Sequence, residues 1–367
     1  VGEVFRQPGL ARALRAVAEE GSDAFYRGWI ADSIAAEMER GGGLVDRGDL
    51  ARYEPVWREP VAFDYRGRRV VSMPPPSSGG VTLAEIFNIV EGWDLAELGP
   101  GSADAVHVAV EAFRRTYADR NFHLGDPDFV DMPLDRLTSQ AYADSLRGTI
   151  RMDRASDSDD FGKVPAPDSV PEGSQTTHYS VVDSAGRAVA VTTTLNGFFG
   201  SAVTVPGAGF FLNNEMDDFT ARPGVPNAYG LVQGEANAIE PGKRMLSSMS
   251  PTILVGRDGR NRLVTGTPGG ATIITTVFQV ISAVVDHGMD VGPAVAAPRV
   301  HHQHLPDVVR WEPDGLRPAV VDELERRGHD LRVRDGWSGN VQSVLVREDG
   351  VRVGVPDPRR GGRALGY

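Results

Sequence analysis

The sequence predicts an α+β protein, because its helical and strand signals are segregated along the chain rather than alternating as a doubly wound sheet requires. Apolar residues at helical spacing dominate the first half, and short β-branched runs separated by Gly-containing turns dominate the second. Between them, from about Met152 to Gln175, lies a stretch rich in Asp, Ser, Pro and Gly with no periodicity, predicted to be an exposed linker.

In the first half, Leu10, Leu14 and Val17 share one helix face, Ile30, Ile34 and Met38 a second, and Val106, Val110, Phe113 and Tyr117 a third. All three stripes are expected to be core. A hairpin interrupts them: Val61 to Tyr65 and Arg69 to Ser72 flank Arg66-Gly67. It ends in Pro74-Pro75-Pro76-Ser77-Ser78-Gly79-Gly80, which cannot continue a strand and is expected to be a fixed loop.

In the second half, strands are predicted at Tyr179 to Val182, Ala188 to Leu195, Gly209 to Leu212, Thr252 to Val255 and Arg262 to Thr265. Ser184-Ala185-Gly186-Arg187 and Arg257-Asp258-Gly259-Arg260 make turns between them. Helices return at about Ala271 to Asp286 and Pro318 to Arg327. A last hairpin pairs Gln342 to Arg347 with Val351 to Val355 around Asp349-Gly350.

Composition narrows the function classes. A chain of 367 residues can bury a substantial core, and 41% hydrophobic with 24% charged residues is ordinary for a globular protein. A formal net charge of -12 argues against binding a phosphate backbone, which requires clustered Lys and Arg. Small molecules are the expected partners. The absence of cysteine excludes disulfides and thiolate catalysis and leaves the redox compartment open. The longest apolar run, Ala271 to Val285, is broken by Thr275, Thr276, Gln279 and Ser282 and is expected to be a core helix rather than a membrane span. The sequence opens at Val1 without a Met or a signal segment, and this start is read as a truncation.

The chemistry centres on Gln175-Thr176-Thr177-His178, where the linker meets the first strand of the β half. A threonine hydroxyl is a poor nucleophile, and a free α-amine on the same residue can activate it because that amine titrates near pH 8. A break between Gln175 and Thr176 would free such an amine. On residue types alone, the pair Thr176-Thr177 is ordinarily just the β-branched opening of a strand.

The surrounding blocks change that weighting. Thr176-Thr177-His178-Tyr179-Ser180-Val181-Val182-Asp183 is followed in order by Thr194-Leu195-Asn196, Leu212-Asn213-Asn214-Glu215-Met216-Asp217-Asp218-Phe219, Ser247-Ser248-Met249-Ser250-Pro251-Thr252 and Gly266-Thr267-Pro268-Gly269-Gly270. Upstream lie Ser72-Met73-Pro74-Pro75-Pro76-Ser77-Ser78-Gly79-Gly80, Tyr117-Ala118-Asp119-Arg120 and Leu124-Gly125-Asp126-Pro127-Asp128. With these blocks the sequence resembles the γ-glutamyltranspeptidases over essentially its whole length.

The resemblance implies a four-layer αββα sandwich of the N-terminal nucleophile hydrolases. Residues 1–175 would be the C-terminal part of the large subunit and residues 176–367 the small subunit, intertwined in one fold. It implies that Thr176 cleaves the chain after Gln175 and then, with its own amine as base, attacks a γ-glutamyl donor such as glutathione. Thr194 would position the nucleophile. Gly269 and Gly270 would supply oxyanion N–H groups, a role that needs the close backbone approach only glycine allows. Asn196, Glu215 and Asp218 would hold the donor's ammonium, which offers three hydrogens and accepts none, and Ser247 and Ser248 would hold its carboxylate. The stretch Pro223 to Gly234, carrying Tyr229, matches a lid that would keep water from the acyl intermediate. Taken alone, the acidic residues make a solvated turn, the serines a polar turn, Thr194 a packing contact, and Pro268-Gly269-Gly270 a turn that lacks the Lys-Ser/Thr of a phosphate loop.

No cofactor is implied. An amino acid, peptide or water would accept the acyl group, and the two cleavage fragments would form a heterodimer. Family members are periplasmic, secreted or surface-attached. They also carry, ahead of the point matching Val1, a glycine-rich segment and an arginine that pairs with the donor carboxylate, and neither is in this sequence. Arg114, Arg115 and Arg120 lie on or near a predicted helix that nothing places at the carboxylate, so that role is unfilled. The competing readings are a related acylase acting on cephalosporin side chains or poly-γ-glutamate, and a non-catalytic remnant.

Other clusters carry less. His301-His302 with His304 is expected to be a polar loop rather than a metal site, since adjacent strand residues face opposite ways. Asp126, Asp128 and Asp131 lack the Gly and closing Glu of a calcium loop. Neither Gly-x-Ser-x-Gly nor His-Glu-x-x-His occurs.

Overall fold

The computed structural model describes residues 2–162 and 176–367. The cleavage position at Gln175, like most of the predicted linker, lies outside the described residues. The chain divides into two units, Val1–Arg58 with Leu195–Asn214, and Glu59–Thr194 with Glu215–Tyr367.

The first unit is built from α1 (Pro8–Glu20), α2 (Ser22–Tyr26), α3 (Trp29–Gly41) and α4 (Arg47–Arg52). Pro8 opens α1, where its missing N–H costs nothing, and Asp46 and Asp49 cap α4 reciprocally. Ala13, Ile30 and Ile34 form a core with Val205 and Ala208, which holds the 195–214 segment against the helices. The stripe expected on α1 does not hold: Leu14 is 61% exposed and Val17 37%, while Ala13 and Ala16 are buried. The backbones approach too closely for large side chains there, since a Cβ on Gly9 would lie 3.1 Å from the Gly207 carbonyl. The strand expected at Gly209 to Leu212 is reduced to a bridge between Thr204 and Phe211, because left-handed turns at Gly207 and Gly209 interrupt the extended backbone.

The second unit begins with β1 (Val61–Tyr65) and β2 (Arg68–Ser72), joined by a tight turn with φ of 50° at Arg66 and 72° at Gly67. Then come α5 (Gly79–Val90), α6 (Leu95–Leu98), α7 (Ala103–His123), α8 (Leu134–Leu137) and α9 (Gln140–Arg147). Residues after the linker form β3 (Thr176–Val182), β4 (Ala188–Thr194), β5 (Thr252–Val255), β6 (Asn261–Thr265), α10 (Thr272–Val285), α11 (Val291–Ala296), β7 (Val300–His301) and β8 (Val309–Trp311). The unit closes with α12 (Pro318–Arg326), β9 (Leu331–Val333), β10 (Gln342–Val346) and β11 (Arg352–Pro356).

Its main sheet runs β1-β2-β5-β6-β10-β11, antiparallel throughout, so strands from both sides of the linker share one sheet. Tyr65, Val70, Leu254 and Leu263 enter one core with Phe87 of α5, Phe113 of α7 and Phe278 of α10. Leu263 and its neighbour Val264 point to opposite faces and are both fully buried, as a sheet covered on both sides requires. The β3–β4 hairpin packs on β5, β6 and β10. Among the described residues, helices pack on one face of the sheet and the hairpin on its strands, in an α+β arrangement. The hairpin's outer face, with Tyr179, Val181 and Val189, is exposed.

Two loop expectations are corrected. Residues 152–162 are exposed at Asp153, Arg154, Asp157, Asp159 and Asp160 as expected but are anchored rather than loose: Ser156 bonds Glu111 at 2.5 Å, and the buried Ser158 accepts from Arg114 at 2.5 Å. His301, His302 and His304 are buried rather than forming an open polar loop, each with a partner: Thr275, Asp307 and the Ser158 carbonyl. Burial holds all three imidazoles below their ordinary range.

Candidate active site

Thr176 opens β3 directly opposite Thr194, the last residue of β4. The register places both hydroxyls on one face, and Thr176 Oγ1 donates to Thr194 Oγ1 at 3.3 Å. Two residues further along the same face, His178 is buried between Thr192 (2.8 Å) and Ser180 (3.1 Å), and Ser180 donates on to the Gln342 carbonyl. Burial lowers the His178 pKa to about 4, so it is neutral at pH 7 and serves to tie the hairpin to the main sheet.

Thr194 leads to the acidic residues. Its hydroxyl bonds the Glu215 carboxyl, which sits in a short 3-10 turn, Glu215–Asp218. Burial pushes Glu215 up to about 7, against the pull of Thr194. Asp218 is also pushed up to about 7, by burial, then by the charge of Glu215, with Arg120 opposing and Asp217 adding to the rise. Two half-buried acids with pKa values pushed up to about 7 are poised to accept a cation. The turn is fixed from outside by Gln233 and Asn237, which donate to the Asp218 carbonyl at 3.2 and 2.7 Å.

Arg120, in the last turn of α7, comes next. It is fully buried and donates from Nε to Ser78 Oγ and from Nη2 to Ser248 Oγ, both at 3.0 Å. Ser78 in turn donates to the Ser247 carbonyl at 2.7 Å. The Pro-rich loop before α5 is thereby joined to the serine pair, with a bridge between Ser77 and Ser247. Gly79 permits this approach, because any Cβ there would strike Met249 at 2.5 Å.

Gly269 and Gly270 have φ of 148° and 55°, and their N–H groups donate to no group among the described residues. The loop around them is braced from both sides. Thr267 Oγ1 donates to Pro268 and accepts from Asn340 N at 2.8 Å, and the Tyr117 hydroxyl of α7 bonds the Ala271 carbonyl. The Tyr229 ring lies against Gly270. Burial and then the charges of Asp218, Asp217 and Glu215 raise the Tyr229 phenol, which puts the ring beside the acidic turn as well.

The structure therefore brings Thr176, Thr194, Glu215, Asp218, Ser248, Tyr229 and Gly270 into one connected set. Ser247 is held through its backbone, while its own hydroxyl accepts from Met249 N. Asn196 belongs to the other unit, where it has a φ of 66° and donates to the Asn214 carbonyl at 3.3 Å. A groove of about 360 Å³ beside β3 is lined by Thr176, Gln342, Pro356 and Gly361, but by none of the other candidate residues.

Three contributors escaped the sequence reading of roles: Arg120, Tyr117 and Ser78. All three stand in blocks it quoted. Their signal was a polar residue inside an apolar helical stripe, or beside a fixed loop, whose partner is remote in sequence. Elsewhere in the second unit, His107, Glu111 and His329 converge closely enough to suggest a metal site. Most of their atoms are already engaged: His107 bonds His329 Nε2 and the Arg151 carbonyl, both at 2.8 Å, and Glu111 binds Arg115 at 2.7 Å, while His329 Nδ1 has no partner among the described residues. This is an internal hydrogen-bond network.

Comparison with known proteins gives the same direction. The chain is 50% identical over 360 residues to a glutathione hydrolase proenzyme of Escherichia coli (strain K12), covering 98% of this chain and 61% of that protein. It is 46% identical over 376 residues to a glutathione hydrolase proenzyme of Pseudomonas sp. (strain A14), covering 100% and 64%. In structure it resembles cephalosporin acylase from Bacillus halodurans with a TM-score of 0.84 and 30% identity, covering 100% of this chain and 64% of that one. The chain thus spans less than two thirds of the length of each. A family model for gamma-glutamyltranspeptidase matches residues 1–367, and the chain belongs to that family.

Proposed function

We propose that this chain carries the nucleophile and most of the donor site of an enzyme that transfers or hydrolyses γ-glutamyl groups, with glutathione as donor. The observation that carries the reading is the pairing of Thr176 with Thr194, and of Thr194 with Glu215, at the head of the β half. Thr176 Oγ1 attacks the Gln175 carbonyl, the peptide bond shifts to an ester, and water releases a new N-terminus at Thr176. The free amine then takes the hydroxyl proton as Thr176 attacks a γ-glutamyl amide. The oxyanion forms against the unengaged N–H groups of Gly269 and Gly270. The amine product leaves with a proton, and water or an acceptor amino acid or peptide resolves the ester. Glu215 and Asp218 hold the donor's ammonium, Ser247 and Ser248 its carboxylate, and Tyr229 closes over the glycines.

On this reading residues 1–175 and 176–367 become two subunits of one heterodimer, and the enzyme works in the periplasm or outside the cell. No helix among the described residues is long and apolar enough to cross a membrane.

The structural likeness to a cephalosporin acylase supports a second reading, acylase activity with the same nucleophile. The two raised carboxyls favour an amino acid donor over it. Intact mass and N-terminal sequencing of wild type and Thr176→Ala test the first step. A new N-terminus at Thr176 that vanishes in the variant supports the proposal. A folded wild type that remains one uncut chain overturns it and favours a non-catalytic protein.

A further inference from the structure

We infer that Arg120 is a positioning residue for carboxylate recognition: by donating to Ser248 Oγ it fixes that hydroxyl as a donor aimed at the α-carboxylate of the substrate. The inference rests on the γ-glutamyl reading above and extends it to a residue that reading does not use.

A guanidinium has five N–H donors and no acceptor, so any hydroxyl oxygen it reaches must accept. Arg120 reaches two, Ser78 Oγ and Ser248 Oγ, each at 3.0 Å. Once its oxygen is occupied in this way, each serine must send its own hydrogen elsewhere. Ser78 sends it to the Ser247 carbonyl at 2.7 Å, which shows the arrangement at work. Ser248 Oγ has no acceptor among the described residues, and its own carbonyl is taken by Ser250 Oγ at 2.9 Å. Because Arg120 occupies one lone pair of this oxygen, the Ser248 hydrogen is turned away from the guanidinium and is left to give to an incoming acceptor. The two Nη1 hydrogens go to Asn121 Oδ1 at 2.8 Å and Gln233 Oε1 at 3.5 Å, so four of the five guanidinium hydrogens hold the fork in place.

Charge acts in the same direction. Arg120 is fully buried, and although burial lowers its pKa to about 10, it remains a cation at neutral pH. Its acidic neighbour Asp218, pushed up to about 7, is only partly ionised near neutral pH, so the cation is incompletely balanced before substrate binds. A substrate carboxylate supplies that balance.

The test compares two anilide donors on the full, processed chain: a γ-glutamyl anilide, and the 4-aminobutyryl anilide that lacks only the α-carboxylate. In Arg120→Gln, KM for the γ-glutamyl anilide should rise roughly tenfold or more, the worth of one charge-assisted hydrogen bond, while kcat changes less. Activity on the 4-aminobutyryl anilide should stay within about twofold of wild type. Arg120→Lys, which keeps the buried charge, should recover part of the loss. If Arg120→Gln fails to fold or to be cut, the same two-donor comparison is made with Arg120→Lys, alongside thermal stabilisation of wild type and variant by L-glutamate and by 4-aminobutyrate. Parallel losses on both donors would mean that Arg120 only holds α7 to its neighbouring loops, and would overturn the inference. A wild type that is cleaved at Thr176 yet inactive on both anilides, and not stabilised by L-glutamate, would instead sink the γ-glutamyl reading and this inference with it.

Discussion

The Tyr229 ring lies so close to Gly270 that a Cβ added at Gly270 would sit 2.5 Å from the ring's Cε1. Glycine at this position does two things at once, since its φ of 55° is also left-handed. Gly270→Ala should therefore cost roughly 1–2 kcal/mol in backbone strain and in addition push Tyr229 off the loop. The expected result is a lower urea midpoint and a fall in donor turnover of about tenfold or more. Combining it with Tyr229→Ala should relieve the crowding but leave the strain. An unchanged urea midpoint in Gly270→Ala would contradict the left-handed geometry.

Glu215 and Asp218 predict a pH dependence with two opposite signs. Each is pushed up to about 7 in the folded chain, mainly by burial, whereas carboxyls of the unfolded chain titrate near pH 4. Between those values the folded state keeps protons that the unfolded state has lost. Stability contributed by the pair therefore falls as pH rises from about 4 to about 7, and levels off above the folded pKa. Binding of an ammonium runs the other way, because it needs the ionised acids. Calorimetric titration with L-glutamate should show affinity rising from about pH 6 to about pH 8, with release of protons. Glu215→Gln removes the charge that helps raise Asp218, so the midpoint of the remaining dependence should move to lower pH. Affinity independent of pH across this range would rule the pair out as the ammonium site.

Asp357 anchors the far side of the glycine loop. It binds Arg299 at 2.6 Å and Arg359 at 3.2 Å, and Arg359 also binds Glu312 at 2.6 Å, all at buried positions. Arg299 stands beside Gly339, where an added Cβ would strike Thr267 Oγ1 and lie 3.0 Å from the Pro268 carbonyl oxygen. Asp357→Asn would leave two arginines facing one carboxylate, at a cost of about 3–5 kcal/mol. Burial alone would raise the Asp357 pKa, but Arg299 and the backbone N–H groups of Arg359 and Val341 hold it below its ordinary value. Its contribution is therefore complete above the ordinary carboxylate range and is lost as pH falls through the lowered folded value. Urea unfolding at neutral and acidic pH checks this: the difference between wild type and Asp357→Asn should shrink as the solution is acidified. An equal difference at both pH values would refute the assignment.

What the sequence conveyed was local. The hairpin turning at Arg66-Gly67, the buried stripe of Val106, Val110, Phe113 and Tyr117, and the strand over Tyr179 to Val182, which the fold extends back to Thr176, are each legible because periodicity and turn chemistry act over a few residues. The failures have a shared cause. Leu14 and Val17 satisfy the helical pattern, yet the buried side of α1 was decided by how near Gly207 comes to Gly9. Residues 152–162 have the composition of a linker, yet the ionic needs of Glu111, Arg114 and Asp307 draw Ser156 and Ser158 inward.

The sequence by itself determined the α+β class, the family and the threonine that begins the β half. Only the tertiary structure decided that Arg120 faces Ser248, 128 residues away, and that the negative charge of the half-buried Glu215 helps raise the half-buried Asp218. A pattern of side chains along a chain records which groups must leave water. A buried charge, however, is tolerable only beside its partners, and packing alone selects those partners.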